Sequence, residues 1–124
     1  MQGISMKQIG DEYERRAAHF LSLQGVEVLI CNYRCRCGEI DLIARQNDYL
    51  VFIEVRARRN PRFATAAASV DYRKQQRLLR TAQFFLQRHT KLANLPCRFD
   101  VITFEPRQST ANDSPQWIRG AFTN

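Results

Sequence analysis

Apolar residues recur at intervals of three and four along residues 6 to 24, where Ile9, Tyr13, Ala17, Phe20 and Leu21 form one stripe. That spacing predicts an amphipathic helix, with Gly25 as its C-terminal stop. The pattern then shortens. VEVLICNY (26–33) reads as a strand, and residues 38 to 44 and 49 to 57 read as two strands of a hairpin joined through RQND. A basic, proline-containing loop is expected over 58–68 and a second helix over about 69–89, with Leu78, Ala82, Phe85 and Leu86 on one face. Pro96 opens a further strand, CRFDVITFE. A polar loop (106–115) follows, and 117–122 adds a short edge strand. Tyr49 to Ile53 is apolar on both faces, which marks a strand covered by a layer on each side. The expected fold class is therefore an α/β sandwich with a mixed β-sheet flanked by helices. The first three strands should be antiparallel neighbours, and the crossover through the second helix brings strand 97–105 parallel to one of them.

Strand alternation decides which side chains share a face. On the first hairpin strand Glu39, Asp41 and Ile43 point one way, Ile40 and Leu42 the other. On the second, Phe52, Glu54 and Arg56 point one way, Val51, Ile53 and Val55 the other. A two-residue turn at Asn47-Asp48 pairs residues whose numbers sum to 95, so Asp41 faces Glu54 and Glu39 faces Arg56. Opposed β-carbons lie roughly 4.5–5.5 Å apart, and like charges placed there repel. Half-buried carboxylates so close have three remedies: one takes up a proton, an arginine bridges them, or a cation sits between them. Magnesium suits the last, since it takes one or two carboxylates and fills its other positions with water and phosphate oxygens. An ion-pair cluster of Glu39, Asp41, Glu54 and Arg56 is the plain alternative. From the flanking helices, Glu14 lies one turn before the small residues Ala17 and Ala18. Gln75 precedes Leu78 and Leu79 by three and four, so both are expected to approach this face.

The composition, 44% hydrophobic and 25% charged over 124 residues, is that of one ordinary globular domain, 1–124. The N-terminal stretch is charged, without the apolar core of a signal peptide, and the longest apolar run is too short to span a bilayer. A cytoplasmic protein with no membrane partner is the expectation. In that compartment Cys31, Cys35, Cys37 and Cys97 are expected as reduced thiols, because C-x3-C-x-C with one distant partner is not a usual zinc spacing. Charge changes the picture more. Between Arg56 and Lys91 ten basic residues stand against the single acid Asp71, a local net of +9 in a chain of net +7. Such a segment suits a polyanion, nucleic acid before an acidic membrane surface; a merely solvated basic face is the alternative.

The order of a helix Glu, then D-x12-E-x-[K], then a Gln on the next helix resembles the PD-(D/E)xK nuclease superfamily. More specifically, GEIDLIA (38–44), FIEVR (52–56), VDYRKQQRL (70–78) and PCRFDVI (96–102) are similar to the YraN-type family of small, largely uncharacterised bacterial proteins, related to Holliday-junction resolvases. The resemblance runs from Gly10 to the closing IRGAF. It implies a restriction-endonuclease-like three-layer sandwich and a Mg2+ (or Mn2+) site. Asp41 and Glu54 match the metal-binding acids, Glu14 the first-helix acid that assists them, and Gln75 the helix glutamine. Arg56 stands where the motif has lysine. A guanidinium stabilises charge and holds phosphate, but is not a proton acceptor. Asp100 also matches the family pattern, and a strand acid paired with a nearby arginine explains it equally.

Three functions fit. The first is a Mg2+-dependent endonuclease acting on branched or structured DNA, with Arg58, Arg59, Arg62, Arg73, Lys74 and Arg77 gripping the backbone and Gln75 orienting Arg56 or water. A homodimer is in keeping with junction resolvases as a group. The second is a non-catalytic nucleic-acid-binding module in which Arg56 pins the carboxylates. The third is a protein–protein adaptor with a basic face.

Overall fold

The computed structural model describes residues 6–57, 70–104 and 115–122. Its elements follow the predicted order: α1 (Met6–Leu23), β1 (Glu27–Cys35), β2 (Gly38–Gln46), β3 (Tyr49–Ala57), α2 (Tyr72–Arg88), β4 (Cys97–Phe104) and β5 (Gln116–Phe122). The loops expected over 58–68 and 106–114 lie outside the described residues. Among the described residues no helix is long and apolar enough to cross a membrane.

The five strands form one mixed sheet in the order β1-β2-β3-β4-β5. β1, β2 and β3 are antiparallel neighbours, β4 runs parallel to β3, and β5 returns antiparallel to β4. The parallel pair follows from the crossover through α2, which a hairpin cannot make. The two faces carry separate cores. Leu78, Ala82 and Phe85 of α2 pack with Ile43, Leu50, Phe52, Phe99 and Val101. Ala17 and Leu21 of α1 pack on the other side with Leu42, Ala44, Val51, Ile53, Ile102 and Phe104. Phe85 is wholly buried and meets Tyr33 and Phe52 edge-on at ring-centroid distances of 5.2 and 6.1 Å. Truncating it to alanine would cost about 3–5 kcal/mol.

Local chemistry sets the element ends. α1 closes with Gly25 at φ 81, where Val26 N–H donates to Leu21 O (3.0 Å) and Gly25 N–H to Ser22 O (3.1 Å). This is the paired terminal bonding that a glycine past the helix end permits, with Val26 and Leu21 in apolar contact beneath it. α2 starts at Asp71, whose Oδ1 accepts the Lys74 N–H at 2.8 Å. The β2–β3 turn places Asn47 at φ 53, a conformation asparagine tolerates. The summed-to-95 register then holds from Gln46↔Tyr49 to Leu42↔Ile53.

Alternation fails at one place in β2. Ile40 packs in the α2-side core and Leu42 in the α1-side core, although two residues apart they should share a face. β1 does the same: Tyr33, paired with Ile40, meets Phe85 edge-on, whereas Cys31, paired with Leu42, is exposed. Between these pairs stand Asn32, at φ 56, and Asp41. Both strands turn over together at the position where β2 carries its half-buried acid, Asp41.

A candidate acid site where the β2–β3 ladder ends

The last ladder pair between β2 and β3 is Leu42↔Ile53. Immediately beyond it Asp41 Oδ2 accepts the Val55 N–H at 2.8 Å, so the carboxylate replaces a backbone partner between the two strands. Glu54 sits beside it on β3, 5% exposed. Glu14 approaches Asp41 and Asn32 from α1. Ala17 at 0% exposure confirms the close approach of that helix to the sheet. The predicted trio of Glu14, Asp41 and Glu54 is therefore brought together.

The electrostatics reflect three acids brought together, Glu54 buried and Asp41 and Glu14 half-buried. Burial, with the Glu14 charge adding to it, pushes Asp41 up to about 6 despite the Val55 N–H. Burial and then the Asp41 charge push Glu54 up to about 7, against the opposing pull of Lys74 and Arg56. Burial also raises Glu14, partly offset by its contacts with Asp41 and Asn32. Its Oε2 atom is buried without a hydrogen-bond partner.

Two cations meet Glu54 on the α2 side. Arg56 Nε lies 3.4 Å from Glu54 Oε1 but makes no hydrogen bond there, a contact of charge alone. Lys74 Nζ, from the first turn of α2, makes a closer ion pair with the same Oε1. The basic-segment reading placed Lys74 among backbone-gripping residues, and its pairing with Glu54 was missed. The signal was present, since Lys74 precedes Leu78 by four and so flanks the buried stripe.

Other expectations are corrected. Glu39 does not face Arg56. It pairs across the sheet with Arg34 on β1 at 3.1 Å, with both side chains more than half exposed, because the turnover at Asp41 takes Glu39 out of the expected face. The proposed four-membered cluster of Glu39, Asp41, Glu54 and Arg56 thus lacks Glu39. Gln75 donates its amide to the Val70 carbonyl at 2.9 Å, holding the start of α2 instead of turning to Arg56. Arg73 and Arg77 are exposed on α2, while Arg58, Arg59 and Arg62 lie outside the described residues. Asp100 is the strand acid paired with a nearby arginine. Only 1% exposed, it accepts two bonds from Arg98 (2.9 and 3.0 Å), one from Trp117 Nε1 (2.8 Å) and one from the Gly120 N–H (2.9 Å). It fastens β5 at its bulge, and its bonds go to Arg98, Trp117 and Gly120, not to the acid site. The four cysteines are free thiols.

Two clefts lie near these residues, one lined by Glu14 on the α1 side of the sheet and one by Lys74 on the α2 side. One of about 440 Å³ is lined by Asp11, Glu14, Arg15, Cys31 and Asn32. The other, about 460 Å³, lies between the β1–β2 turn and α2, with Arg34, Gly38, Glu39, Lys74 and Arg77 among its lining residues. Gly38, at φ 149, lets that turn come down on α2: an added Cβ would stand 3.0 Å from Thr81 Oγ1.

No group of three or more His, Cys, Asp or Glu side chains is arranged as a metal cage among the described residues. A magnesium ion needs less: one or two carboxylates, with water and phosphate completing its shell. Asp41 and Glu54, adjacent and held above their ordinary values by burial, with the Glu14 charge adding to it at Asp41 and the Asp41 charge at Glu54, fit such a two-carboxylate site.

An α/β domain with buried acids where two central strands part is thus the class that fold and site define. The chain belongs to the uncharacterised protein family UPF0102, whose sequence model matches residues 13–104. It is 48% identical over 116 residues to a UPF0102 protein of Alkalilimnicola ehrlichii, covering 94% of this chain and 87% of the relative. A UPF0102 protein of Methylobacillus flagellatus is 47% identical over 118 residues (95% and 99% covered), and one of Pseudomonas fluorescens 43% over 122 residues (98% of each). The resemblance to a small, largely uncharacterised bacterial family is borne out.

Proposed function

We propose that the chain is a metal-dependent, nuclease-like protein that binds nucleic acid, with a variant of the restriction-endonuclease-like fold, and hydrolyses phosphodiester bonds in branched or structured DNA. The observation that carries this reading is the Asp41–Glu54 pair. Glu54, buried, and Asp41, half-buried, lie together where the β2–β3 ladder stops, Asp41 raised to about 6 and Glu54 to about 7. A fold that needed only a core would place apolar residues there, because buried carboxylates are costly unless compensated. Asp41 and Glu54 would hold Mg2+ or Mn2+, with Glu14 beside Asp41 assisting. When bound, the metal would lower the pKa of its water and neutralise charge on the phosphate. The Val55 N–H fixes one carboxylate oxygen of Asp41, and Glu14 and Glu54 lie against the carboxyl group. Arg56 is a counterion to Glu54, and exposed Arg73 and Arg77 supply attraction for the phosphate backbone.

The test is cleavage of supercoiled, nicked, forked and four-way DNA with Mg2+ or Mn2+, wild type against Asp41→Asn. Cleavage of at least one substrate, lost in the variant, is expected. If no substrate is cut and the variant binds DNA as the wild type does, the reading is wrong.

One observation favours a second reading, a nucleic-acid-binding module without cleavage. Two cations already contact Glu54, and together they could replace a metal. Thermal melting with millimolar Mn2+ separates the two. A metal that binds only the folded state raises the midpoint, whereas an acid site satisfied by Lys74 and Arg56 leaves it unmoved.

A further inference from the structure

The two clefts beside the acids differ in charge, and only one suits a phosphate. The α1-side cleft carries Asp11 and Glu14 against Arg15. In the α2-side cleft the one acid among the described lining residues, Glu39, is already paired with Arg34, and Lys74 shares its charge with Glu54 behind the cleft, so that Arg77 adds exposed positive charge with no acid facing it among those residues. A polyanion is therefore drawn to the α2 side. Lys74 belongs to both places at once: it lines this cleft, and its Nζ contacts Glu54 Oε1. Arg56, like Asp41 and Glu54, is not among the described lining residues of either cleft, and its Nε is buried without a hydrogen bond, whereas the Lys74 side chain reaches from the cleft to Glu54.

We propose that Lys74 is a catalytic residue of this site, supplying from α2 the ammonium that holds and neutralises the scissile phosphate, while Arg56 serves Glu54 as a counterion. The inference rests on the reading that the acid pair hydrolyses phosphodiesters. An ammonium has three donors, so one can remain on Glu54 while the others face a phosphate oxygen in the cleft. Its backbone is held in advance of any ligand. The Lys74 N–H is bonded to the Asp71 cap at 2.8 Å, and Gln75 pins the same turn through its 2.9 Å bond to Val70 O. Gln75 is thus a positioning residue for Lys74. In the reaction a water oxygen forms the new bond to phosphorus and the bond from phosphorus to the leaving sugar oxygen breaks. The attacking water gives its proton to surrounding water, and the leaving oxygen takes one from it. Lys74 keeps its proton throughout and faces the non-bridging oxygen on which negative charge grows. Fixed charge of this kind, aimed where charge develops, typically changes rates by about a hundredfold or more.

Single-turnover cleavage at saturating protein, together with binding of uncut DNA in Ca2+, tests the assignment. Lys74→Gln should cut about a hundredfold more slowly or worse, with DNA binding within about threefold of wild type, since one phosphate contact among several is lost. Lys74→Arg, which keeps the charge, should recover part of the rate, and it guards against a Gln variant that folds poorly. Arg56→Gln should lose less rate than Lys74→Gln and show a lower melting midpoint. Lys74→Gln should also bind Mn2+ more tightly in melting titrations, because the ammonium no longer competes for Glu54. Wild-type cleavage with an unimpaired Lys74→Gln variant removes this inference and leaves the nuclease reading standing. A wild type that cuts nothing removes both. Arg56→Gln losing as much rate as Lys74→Gln at an unchanged melting midpoint would hand the role to Arg56.

Discussion

The raised acids make stability fall with increasing pH, opposite in sign to the contribution of an ordinary salt-bridged carboxylate. Asp41 rises from 3.8 to about 6 and Glu54 from 4.5 to about 7 on folding, so the folded chain holds protons that the unfolded chain releases. The stability that this contributes is complete below about pH 4 and is lost as pH climbs through about 6 and then about 7. At pH 5 Asp41 still carries ~1 kcal/mol of it and Glu54 ~3 kcal/mol, nearly all gone at pH 8, a fall of ~4 kcal/mol from a buried pair that titrates together. Asp41→Asn tests the cause. The asparagine oxygen can still accept the Val55 N–H, so the bond at 2.8 Å is kept while the charge and its repulsion of Glu54 go. Urea unfolding from pH 5 to pH 8, followed by the fluorescence of the single tryptophan, Trp117, measures both proteins on one scale. The stability gap between variant and wild type should widen in the variant's favour by ~2 kcal/mol or more between those pH values. A gap that is constant with pH, or that narrows, would refute the argument that desolvated carboxylates, with Asp41 repelling Glu54, govern this site.

Millimolar Mn2+ should return much of the wild-type stability lost at pH 8 and none of it in Asp41→Asn, read as the shift in melting midpoint with metal. Asp100→Ala removes the carboxylate partner of Arg98, which keeps only its Gln46 bond, and leaves the Trp117 indole N–H and the Gly120 N–H without their acceptor in a site 1% exposed. It should cost about 3–5 kcal/mol in urea unfolding and shift Trp117 emission to the red as β5 loosens. Gly38→Ala sets a Cβ 3.0 Å from Thr81 Oγ1 at a φ of 149, and should destabilise by about 1–3 kcal/mol in the same assay. Phosphate-backbone affinity should also fall in that variant if the turn lifts from α2, measured by DNA binding at low salt.

Much of the fold could be read from the chain because the governing rules are local. A two-residue turn fixes a hairpin register by arithmetic, and the sum of 95 runs unbroken from Gln46↔Tyr49 to Leu42↔Ile53. Arithmetic could not show that the ladder stops there. Nor could alternation along β2 alone reveal that β1 and β2 turn over together at Asn32 and Asp41, since that is a property of two strands held in register. Glu39 was misplaced for this reason, and Asp41 was right about its neighbour for a different one: it stays near Glu54 by bonding across the gap, not by facing it in the ladder. On α2 the difficulty was direction. A count of ten basic residues against one acid treats Lys74 as one charge among many, yet one position around the helix separates it from Gln75, whose amide turns to Val70 while the ammonium turns to Glu54. The arginine in the motif position looked like a loss of chemistry because a strand motif was read as though only strand residues could fill it. A buried carboxylate attracts whichever cation the fold can deliver, and here a helix delivers a lysine to the same oxygen that Arg56 approaches. Whether the site works is therefore a question about Lys74, Asp41 and Glu54 in space, and the spelling of the motif at Arg56 decides much less than it first suggested.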